Sequence, residues 1–234
     1  MALAAIAVLS AAAGFAGTAH AQEKQNDFYV SARLQNAHQE ISGQQRYSPR
    51  ALDITRDPSG TDKFAGGLAL GYRLPGDWRV EAEYVLPSNS SFDTQWRFRN
   101  PANGFVGNSR NVIETRSQRL MLNAYKDFPL NQTFSLYAGL GLGLSRIDAE
   151  GYQGVTTRRF ERNSSNNLAW SATLGMDFRL SQRFTLGTGY RYVDLGKYQT
   201  GRNLFLNNAS GSRDEQHSGR LKEQNLFVEL RAGF

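Results

Sequence analysis

Apolar and polar residues alternate along most of this chain with a period of two. From residue 168 to 180 the even positions are apolar, Trp170 among them, whereas the odd positions are small or polar, as at Asp177. The segment 134–145 repeats this arrangement, with a row of leucines set against a row of glycines and serines. A β-strand places alternate residues on opposite faces, whereas a helix would mix the two sets. The pattern therefore predicts β-strands.

Eight segments carry this alternation, and most of them are long. They are 27–35, 64–74, 78–86, 114–128, 134–145, 168–180, 184–198 and 221–234. Strands of soluble proteins average about 5 to 6 residues, whereas tilted membrane strands need about 9 to 11. Tight turns at 75–77, 129–132 and 181–183 alternate with long polar stretches at about 36–63, 87–113, 146–167 and 199–220. We predict an all-β, eight-stranded antiparallel up-and-down transmembrane β-barrel with short periplasmic turns and long extracellular loops.

The alternation alone leaves open which face points outward, because a soluble barrel would bury the apolar face around a ligand. An eight-stranded barrel has an interior only just wide enough for side chains, and the polar set is rich in glycine. It also contains charges of both signs, which could pair inside. We therefore predict a lumen charge network. Its members are Arg33, Arg73, Arg79, Glu81, Glu83, Arg119, Asp177, Arg179, Arg191, Glu229 and Arg231.

Aromatic residues cluster at the turn ends of the predicted strands, as they do at a lipid–water boundary. We predict that they form a membrane aromatic belt. Its members are Phe28, Tyr72, Trp78, Phe128, Phe134, Phe178, Phe184 and Phe234.

Apart from His20, the first 21 residues have no ionisable side chain, and they end in Ala19-His20-Ala21, a small-x-small pattern. This pattern predicts a secretory signal peptide at 1–21, although no Lys or Arg precedes the apolar stretch. The remaining residues, 22–234, are predicted to form one outer-membrane β-barrel domain.

Among the 234 residues there is no cysteine, which excludes disulfides and thiol nucleophiles. The 27 Lys and Arg outnumber the 21 Asp and Glu, and most of the cations are arginine, whose planar fork suits phosphate. Three roles remain open for the loop arginines: contact with lipopolysaccharide, contact with an external polyanion, or solvation of the loops. The predicted loop polyanion contacts are Arg97, Arg99, Arg158, Arg159, Arg162, Arg202 and Arg213.

Three segments carry a family resemblance: 189–196 (GYRYVDLG), the glycine-laced 137–143, and the closing strand from Leu226 to Phe234. Together they resemble the small outer-membrane β-barrels of Gram-negative bacteria, in the opacity-protein and porin-like branch with eight strands. The resemblance implies localisation in the outer membrane and recognition of the last strand by the insertion machinery. It also implies a structural, adhesin-like surface role without catalysis or cofactor. A monomer is expected.

Other chemistry is weakly supported by the sequence. His38 and the adjacent His217-Ser218 fall in predicted loops, whereas a lipid A-modifying enzyme needs a base oriented beside its nucleophile. The three aspartates of the first loop, Asp53, Asp57 and Asp62, lack calcium-loop spacing. We expect no catalytic, cofactor or metal site. A lipid A-modifying enzyme and a narrow ion-conducting channel remain the alternatives.

Overall fold

The computed structural model describes residues 27–56, 60–100, 102–206 and 211–234, so the predicted signal peptide at 1–21 lies outside the described residues. Within these ranges there are nine strands: β1 (Phe28–Tyr47), β2 (Ala51–Arg56), β3 (Thr61–Leu74), β4 (Trp78–Arg99), β5 (Val106–Pro129), β6 (Phe134–Gln153), β7 (Arg159–Arg179), β8 (Phe184–Gln199) and β9 (Gln216–Gly233). Across the described part of the chain, no helix has the length and apolar content of a membrane span.

Eight of these strands form a closed antiparallel ring. The sheet order is β4-β3-β1-β9-β8-β7-β6-β5, and β5 pairs back onto β4. The first and last strands of the chain pair along most of their length, from Tyr29 opposite Gly233 upward. The short β2 lies outside the ring order and extends the sheet only beside the far end of β4. The predicted all-β up-and-down architecture is therefore confirmed.

The strands match the prediction at the turn ends but run much further at the loop ends. β4 continues to Arg99 and β6 to Gln153, and β7 already begins at Arg159. The loops predicted at 36–63, 87–113 and 146–167 are therefore wrong in extent, because strands occupy most of their residues. The physical reason is that the alternation continues there with its polarity inverted, so these stretches read as polar overall.

The outer surface of the barrel changes from apolar to polar at one level. Leu120, Leu144 and Leu168 lie side by side on β5, β6 and β7 and are 55%, 64% and 71% exposed. One outward position further toward the loops, the paired residues are Arg146 and Asn166. The leucine row therefore marks the upper edge of an apolar band that suits lipid, and the strands above it suit water.

The interior changes in the opposite sense. Toward the turns it is charged, but above the leucine row it is filled by a cluster that we call the upper core. Its members are Ile41, Phe92, Ile113, Ile147, Ala149, Val193, Leu195, Tyr198 and Leu221, all buried. The extracellular part of the barrel is thus built like a soluble β-protein, with a dry apolar centre and a polar outside.

Candidate functional site: the lumen and the extracellular loops

Arg33 lies at the centre of the ion pairs that fill the lumen. Its guanidinium donates to the carboxylates of Glu83 and Glu229, with Nε 3.1 Å from Glu229 Oε2, and Nη2 lies 3.4 Å from Glu81 Oε2. Arg191 reaches Glu83 from β8 on the opposite wall, with Nη1 2.7 Å from Oε2. All five side chains are at most 3% exposed. Each buried charge thus has a partner, as desolvation requires.

A second group of ion pairs lies between this centre and the upper core. Glu223 accepts from Arg119 Nη1 at 2.5 Å and from Gln39 Nε2 at 2.5 Å. Lys63 Nζ lies 3.0 Å from the same carboxylate. Of these residues only Arg119 was predicted. Lys63 was missed because it stands at the end of an apparent loop, and Glu223 because the polar face of the last strand was read only from Glu229 onward. The period-two alternation through Glu229 could have found Glu223.

At the turn end of the lumen, Arg79 and Arg231 share the remaining carboxylates. Arg79 Nε lies 3.0 Å from Asp127 Oδ1 and Nη2 3.7 Å from Asp177 Oδ2. Arg231 pairs with Asp177 and also lies 3.1 Å from Glu229 Oε1. These ion pairs link β4, β5, β7 and β9 across the lumen.

The barrel end changes the environment of two predicted lumen arginines. Arg179 is exposed at the end of β7, so its assignment to the buried network is corrected. The reason is its place beside the turn, where the lumen opens to solvent. Arg73 is half-buried and lies over the ring of Tyr29, with Cζ 5.1 Å from the ring centroid.

Inward tyrosines lie over glycines of the neighbouring strand. Tyr125 pairs with Gly139, and Tyr137 pairs with Gly175. A Cβ added at Gly139 would lie 2.2 Å from the Tyr125 ring, and one at Gly175 would lie 2.3 Å from the Tyr137 ring. The glycines therefore leave the space that the tyrosine rings and the arginine side chains need in a narrow lumen.

The eight aromatic residues of the predicted belt lie at the turn ends of their strands, and most face outward. Phe28 contacts Tyr72 at a centroid distance of 4.7 Å and Phe234 at 6.4 Å, and Phe134 contacts Phe178 at 4.7 Å. Tyr72 differs from the others in being half-buried under Phe28. Exposed members are Phe28, Trp78, Phe128, Phe134, Phe178, Phe184 and Phe234.

The extracellular end of the lumen is closed by a group of ion pairs that we call the cap cluster: Arg46, Arg50, Asp214 and Glu215. Arg46 Nη2 lies 2.8 Å from Glu215 Oε2, and Arg50 Nη2 lies 2.5 Å from Asp214 Oδ1. Although partial burial opposes it, the hydrogen bond from Arg50 lowers the pKa of Asp214. These pairs join the β1–β2 turn to the segment before β9. The described residues directly before β9 are thereby held against β1 and the β1–β2 turn.

His217 lies directly beneath this cap, on β9 and not in a loop as predicted. Its side chain is 0% exposed, with its ring centroid 4.8 Å from that of Phe160 and 6.2 Å from that of Trp96. Its backbone N–H donates to Thr200 Oγ1 at 3.0 Å, which fixes the start of the last loop. Burial, with the nearby charge of Arg46, lowers the pKa of His217 to about 3.

Several of the predicted loop arginines are neutralised by carboxylates of the chain itself. Arg97 binds Asp53 through two hydrogen bonds of 2.8 and 2.9 Å. Arg159 Nη2 lies 3.0 Å from Glu114 Oε2, and Arg162 lies 2.5 Å from Glu150. These arginines cross-link the extended hairpins, so they have less charge to offer a polyanion.

The other predicted loop arginines are differently placed. Arg99, Arg202 and Arg213 are exposed, and no carboxylate of the described residues forms an ion pair with them. Arg158 lies over the ring of Phe205, with Cζ 4.0 Å from the centroid. Its Nη2 also donates to Gln153 Oε1 at 2.9 Å, so three of the predicted loop arginines, and not Arg158, remain available at the extracellular end.

The residues considered for catalysis or metal binding are not brought together. Ser218 faces the outside of β9 while His217 faces the inside, because consecutive strand residues point to opposite faces. Asp53 pairs with Arg97, Asp62 Oδ1 lies 2.7 Å from His38 Nδ1, and Asp57 lies outside the described residues. No group of three potential metal ligands occurs in the described ranges.

Comparison with known proteins agrees with this geometry. The chain is 25% identical over 155 residues to outer membrane protein PagN of Salmonella typhimurium, covering 61% of this chain and 62% of that protein. It is 28% identical over 177 residues to a candidate adhesin of Rickettsia bellii, covering 72% and 74%. It is also 26% identical to outer membrane protein A of Serratia marcescens, of which the match covers 48%. The chain therefore spans only about half to three fifths of the length of PagN and outer membrane protein A.

The crystal structure of neisserial surface protein A superposes with a TM-score of 0.54 at 17% identity, covering 89% of this chain and 97% of that one. At this identity the likeness shows the fold. Residues 4–219 match the family described as "Outer membrane protein beta-barrel domain". The chain belongs to this family of outer-membrane β-barrel proteins, and its place is the outer membrane.

Proposed function

We propose that this barrel is a non-catalytic surface-interaction protein with an adhesin-like role, and that its loop arginines contact an external polyanion. One observation carries the proposal: Arg99, Arg202 and Arg213 are exposed without a carboxylate partner in the described ranges, whereas neighbouring arginines are paired. Guanidinium groups without internal partners are the ones free to bind phosphate or sulfate. The adhesin relative is similar over 72% of this chain, which supports the same role.

The remaining partners follow from position on the barrel. Arg116 is exposed on β5, two outward positions above Leu120 of the leucine row, and forms no ion pair with a carboxylate of the described residues. At this height phosphorylated lipopolysaccharide would present its phosphates. The outward row of β9, from Leu226 through Val228 to Phe234, offers the alternating apolar pattern that the insertion machinery recognises in this family. We propose both contacts, for a barrel that works as a monomer.

The two alternative functions are less well supported. An enzyme would need a histidine beside its nucleophile, but His217 and Ser218 point to opposite faces. A channel would need a continuous wet path, but the lumen ion pairs and the upper core fill the barrel in two successive layers. Both layers are buried.

The proposal is tested with bacteria that display the barrel, bound to immobilised heparin as a defined polyanion. Replacing Arg99, Arg202 and Arg213 together by glutamine should reduce binding about tenfold, with the difference shrinking at high salt. Arg110 is also paired, with Nη2 2.5 Å from Asp93 Oδ2. The matched control replaces the paired Arg97, Arg110 and Arg162 by glutamine, which removes the same formal charge. Equal loss in both variants would show that only net charge matters, and would overturn the assignment to these three side chains.

A further inference from the structure

The connection between β8 and β9 displays two leucines at the extracellular end of the barrel. Leu204 and Leu206 are 49% and 61% exposed, and Phe205 between them is half-buried. Neighbouring exposed apolar side chains mark sites of interaction, whereas isolated ones are ordinary on a protein surface. We call the two leucines, together with Arg202 and Arg213, the loop patch.

Phe205 anchors this stretch of chain to the barrel. Its ring centroid lies 5.9 Å from that of the buried Phe160, and Arg158 Cζ lies 4.0 Å from it. The backbone N–H of Leu204 donates to the backbone oxygen of Arg159 at 2.9 Å. The patch is therefore held in place before any partner arrives, which lowers the entropy cost of binding.

Asn203 joins the two arms of the connection. Its side chain is buried, and its Oδ1 accepts from the backbone N–H of Glu215 at 2.9 Å. Its Nδ2 donates to the backbone oxygens of Phe205 at 2.8 Å and Ser212 at 3.4 Å. The arm that carries the leucines is therefore fixed beside the arm that leads into β9.

Two cations lie next to these fixed points. Arg202 directly precedes Asn203, and Arg213 directly follows Ser212. Both arginines are exposed, and neither forms an ion pair with a carboxylate in the described ranges. A guanidinium without an internal partner can form strong, charge-assisted hydrogen bonds with a carboxylate from outside.

We propose that the loop patch binds an extracellular protein through a segment in which apolar side chains are bordered by carboxylates. The apolar groups cover Leu204 and Leu206, and the carboxylates pair with Arg202 and Arg213. This inference rests on the proposed surface-interaction role and names the partner class. Contact with a polyanion requires only negative charge, whereas the loop patch also requires apolar groups.

A protein segment suits the loop patch better than the surface of another membrane. Phe160, the anchor of the patch, contacts His217, whose ring centroid lies 6.2 Å from that of Trp96. The patch is therefore anchored near the level of Trp96, whereas β4 continues to Arg99 and an exposed turn. A flat bilayer would meet this hairpin tip first, but a protein segment can reach the patch beside it.

The test selects random dodecapeptides displayed on phage against the full barrel in lipid nanodiscs, with empty nanodiscs for counter-selection. The enriched peptides should combine Asp or Glu with aromatic or aliphatic residues. Replacing Leu204 and Leu206 together by serine should weaken binding of a selected peptide about tenfold. Changing the carboxylates of that peptide to amides should weaken its binding to the wild type by a similar factor.

The matched control replaces exposed apolar residues at two other loop tips, Leu52 and Val155, by serine, and it should bind the peptide as the wild type does. Electrophoresis of unheated samples verifies that each variant is folded. The proposal is overturned if no peptide is enriched, or if the enriched peptides are acidic without apolar residues. It is equally overturned if the variant at Leu204 and Leu206 binds like the wild type, or if phosphatidylserine vesicles, and no peptide, need these leucines.

Heparin binding separates this inference from the proposed function. Heparin offers charge without apolar side chains, so the serine variant at Leu204 and Leu206 should bind it as the wild type does. If heparin binding does not depend on Arg99, Arg202 and Arg213, the proposed function fails. If it does depend on them but peptide binding ignores the leucines, only the present inference fails.

Discussion

At Arg33 the fold places a full positive charge where water is excluded, and three carboxylates surround it. Desolvation of such a group costs several kcal/mol, so the pairs need not add net stability compared with a well-packed apolar lumen. What they do impose is geometry, because a shift of register would leave a charge unpaired. Their expected contribution is therefore to strand register, and it appears most clearly when one partner is removed.

Removing that one partner gives the first prediction. Arg33→Leu should lower the free energy of unfolding by about 3 to 5 kcal/mol, because Glu83 and Glu229 lose a shared buried partner. Urea titration of the barrel in lipid vesicles measures this. Arg179→Leu serves as the control, since Arg179 is exposed, and it should change stability by about 0.5 kcal/mol or less. Similar losses in the two variants would mean that the lumen pairs do not hold the barrel.

His217 gives the second prediction, a pH dependence of the cap. Its pKa falls to about 3 on folding, so the opened state binds more protons than the closed state below the ordinary value of about 6.5. Stability of the cap is therefore complete above about pH 6.5 and declines as the pH falls toward 3. At pH 5 the loss is about 2 kcal/mol, from roughly 1.5 pH units at 1.36 kcal/mol each.

Hydrogen exchange of the backbone around Thr200 and His217 at pH 7.5 and pH 5 measures this opening. His217→Phe keeps a ring against Phe160 and Trp96 but cannot be protonated, so its exchange should respond less to acid. Asp214 in the cap cluster has a lowered pKa and loses its contribution at lower pH, which leaves the interval from 6.5 to 5 to the histidine. An identical acid response in the variant would rule out His217 as the cause.

At the scale of the strands, the alternation of apolar and polar residues could predict the eight strands of the barrel but not how far they extend at the loop ends. Between the tight turns and the leucine row, large apolar residues occupy one face of each strand and small or charged residues the other. The strand bounds at Leu74, Trp78 and Phe134 were therefore predicted correctly. Above that row the inward residues become apolar and the outward ones polar, as at Ile147 beside Arg146. The average polarity of these segments then resembles that of a loop. Only the position-by-position alternation of apolar and polar residues could show that the strands continue.

The upper core predicts an extracellular part with stability of its own. Phe92→Ala removes a fully buried ring and should cost about 3 to 5 kcal/mol there, loosening the hairpins above the membrane. The apolar band and the lumen ion pairs stay intact, so the barrel should still migrate as a folded species when unheated. Protease sensitivity of the long hairpins is the measurement. Phe105→Ala, at an exposed loop tip, should leave it unchanged.

Across the whole molecule, two kinds of packing close the lumen in series. In the lower layer, charged side chains form ion pairs with each other, and the apolar upper core above them excludes water. The sequence could predict part of the candidate site. The period-two alternation within a single strand is enough to place Arg33 and Glu83 on the inward face. The contact between Lys63 and Glu223 and the pairing of Arg97 with Asp53 depend on which strands are neighbours above the membrane. The alternation within one strand carries no information about its neighbours.

The absence of cysteine from the chain makes its orientation directly testable with single substitutions. Ala102→Cys, at an exposed tip between β4 and β5, should react with a membrane-impermeant maleimide on intact cells, whereas Gln132→Cys, in an exposed tight turn, should react only after the outer membrane is opened. Leu142→Cys is 62% exposed within the apolar band and should react only with a lipid-soluble reagent, and Ser171→Cys, 2% exposed in the lumen, with neither. Leu142 and Ser171 lie at about the same height and differ in which face of the barrel wall they occupy. Reversed labelling of these two would therefore require a water-soluble barrel with an apolar interior. Reversed labelling of the tip and the turn would instead keep the barrel but turn it over in the membrane.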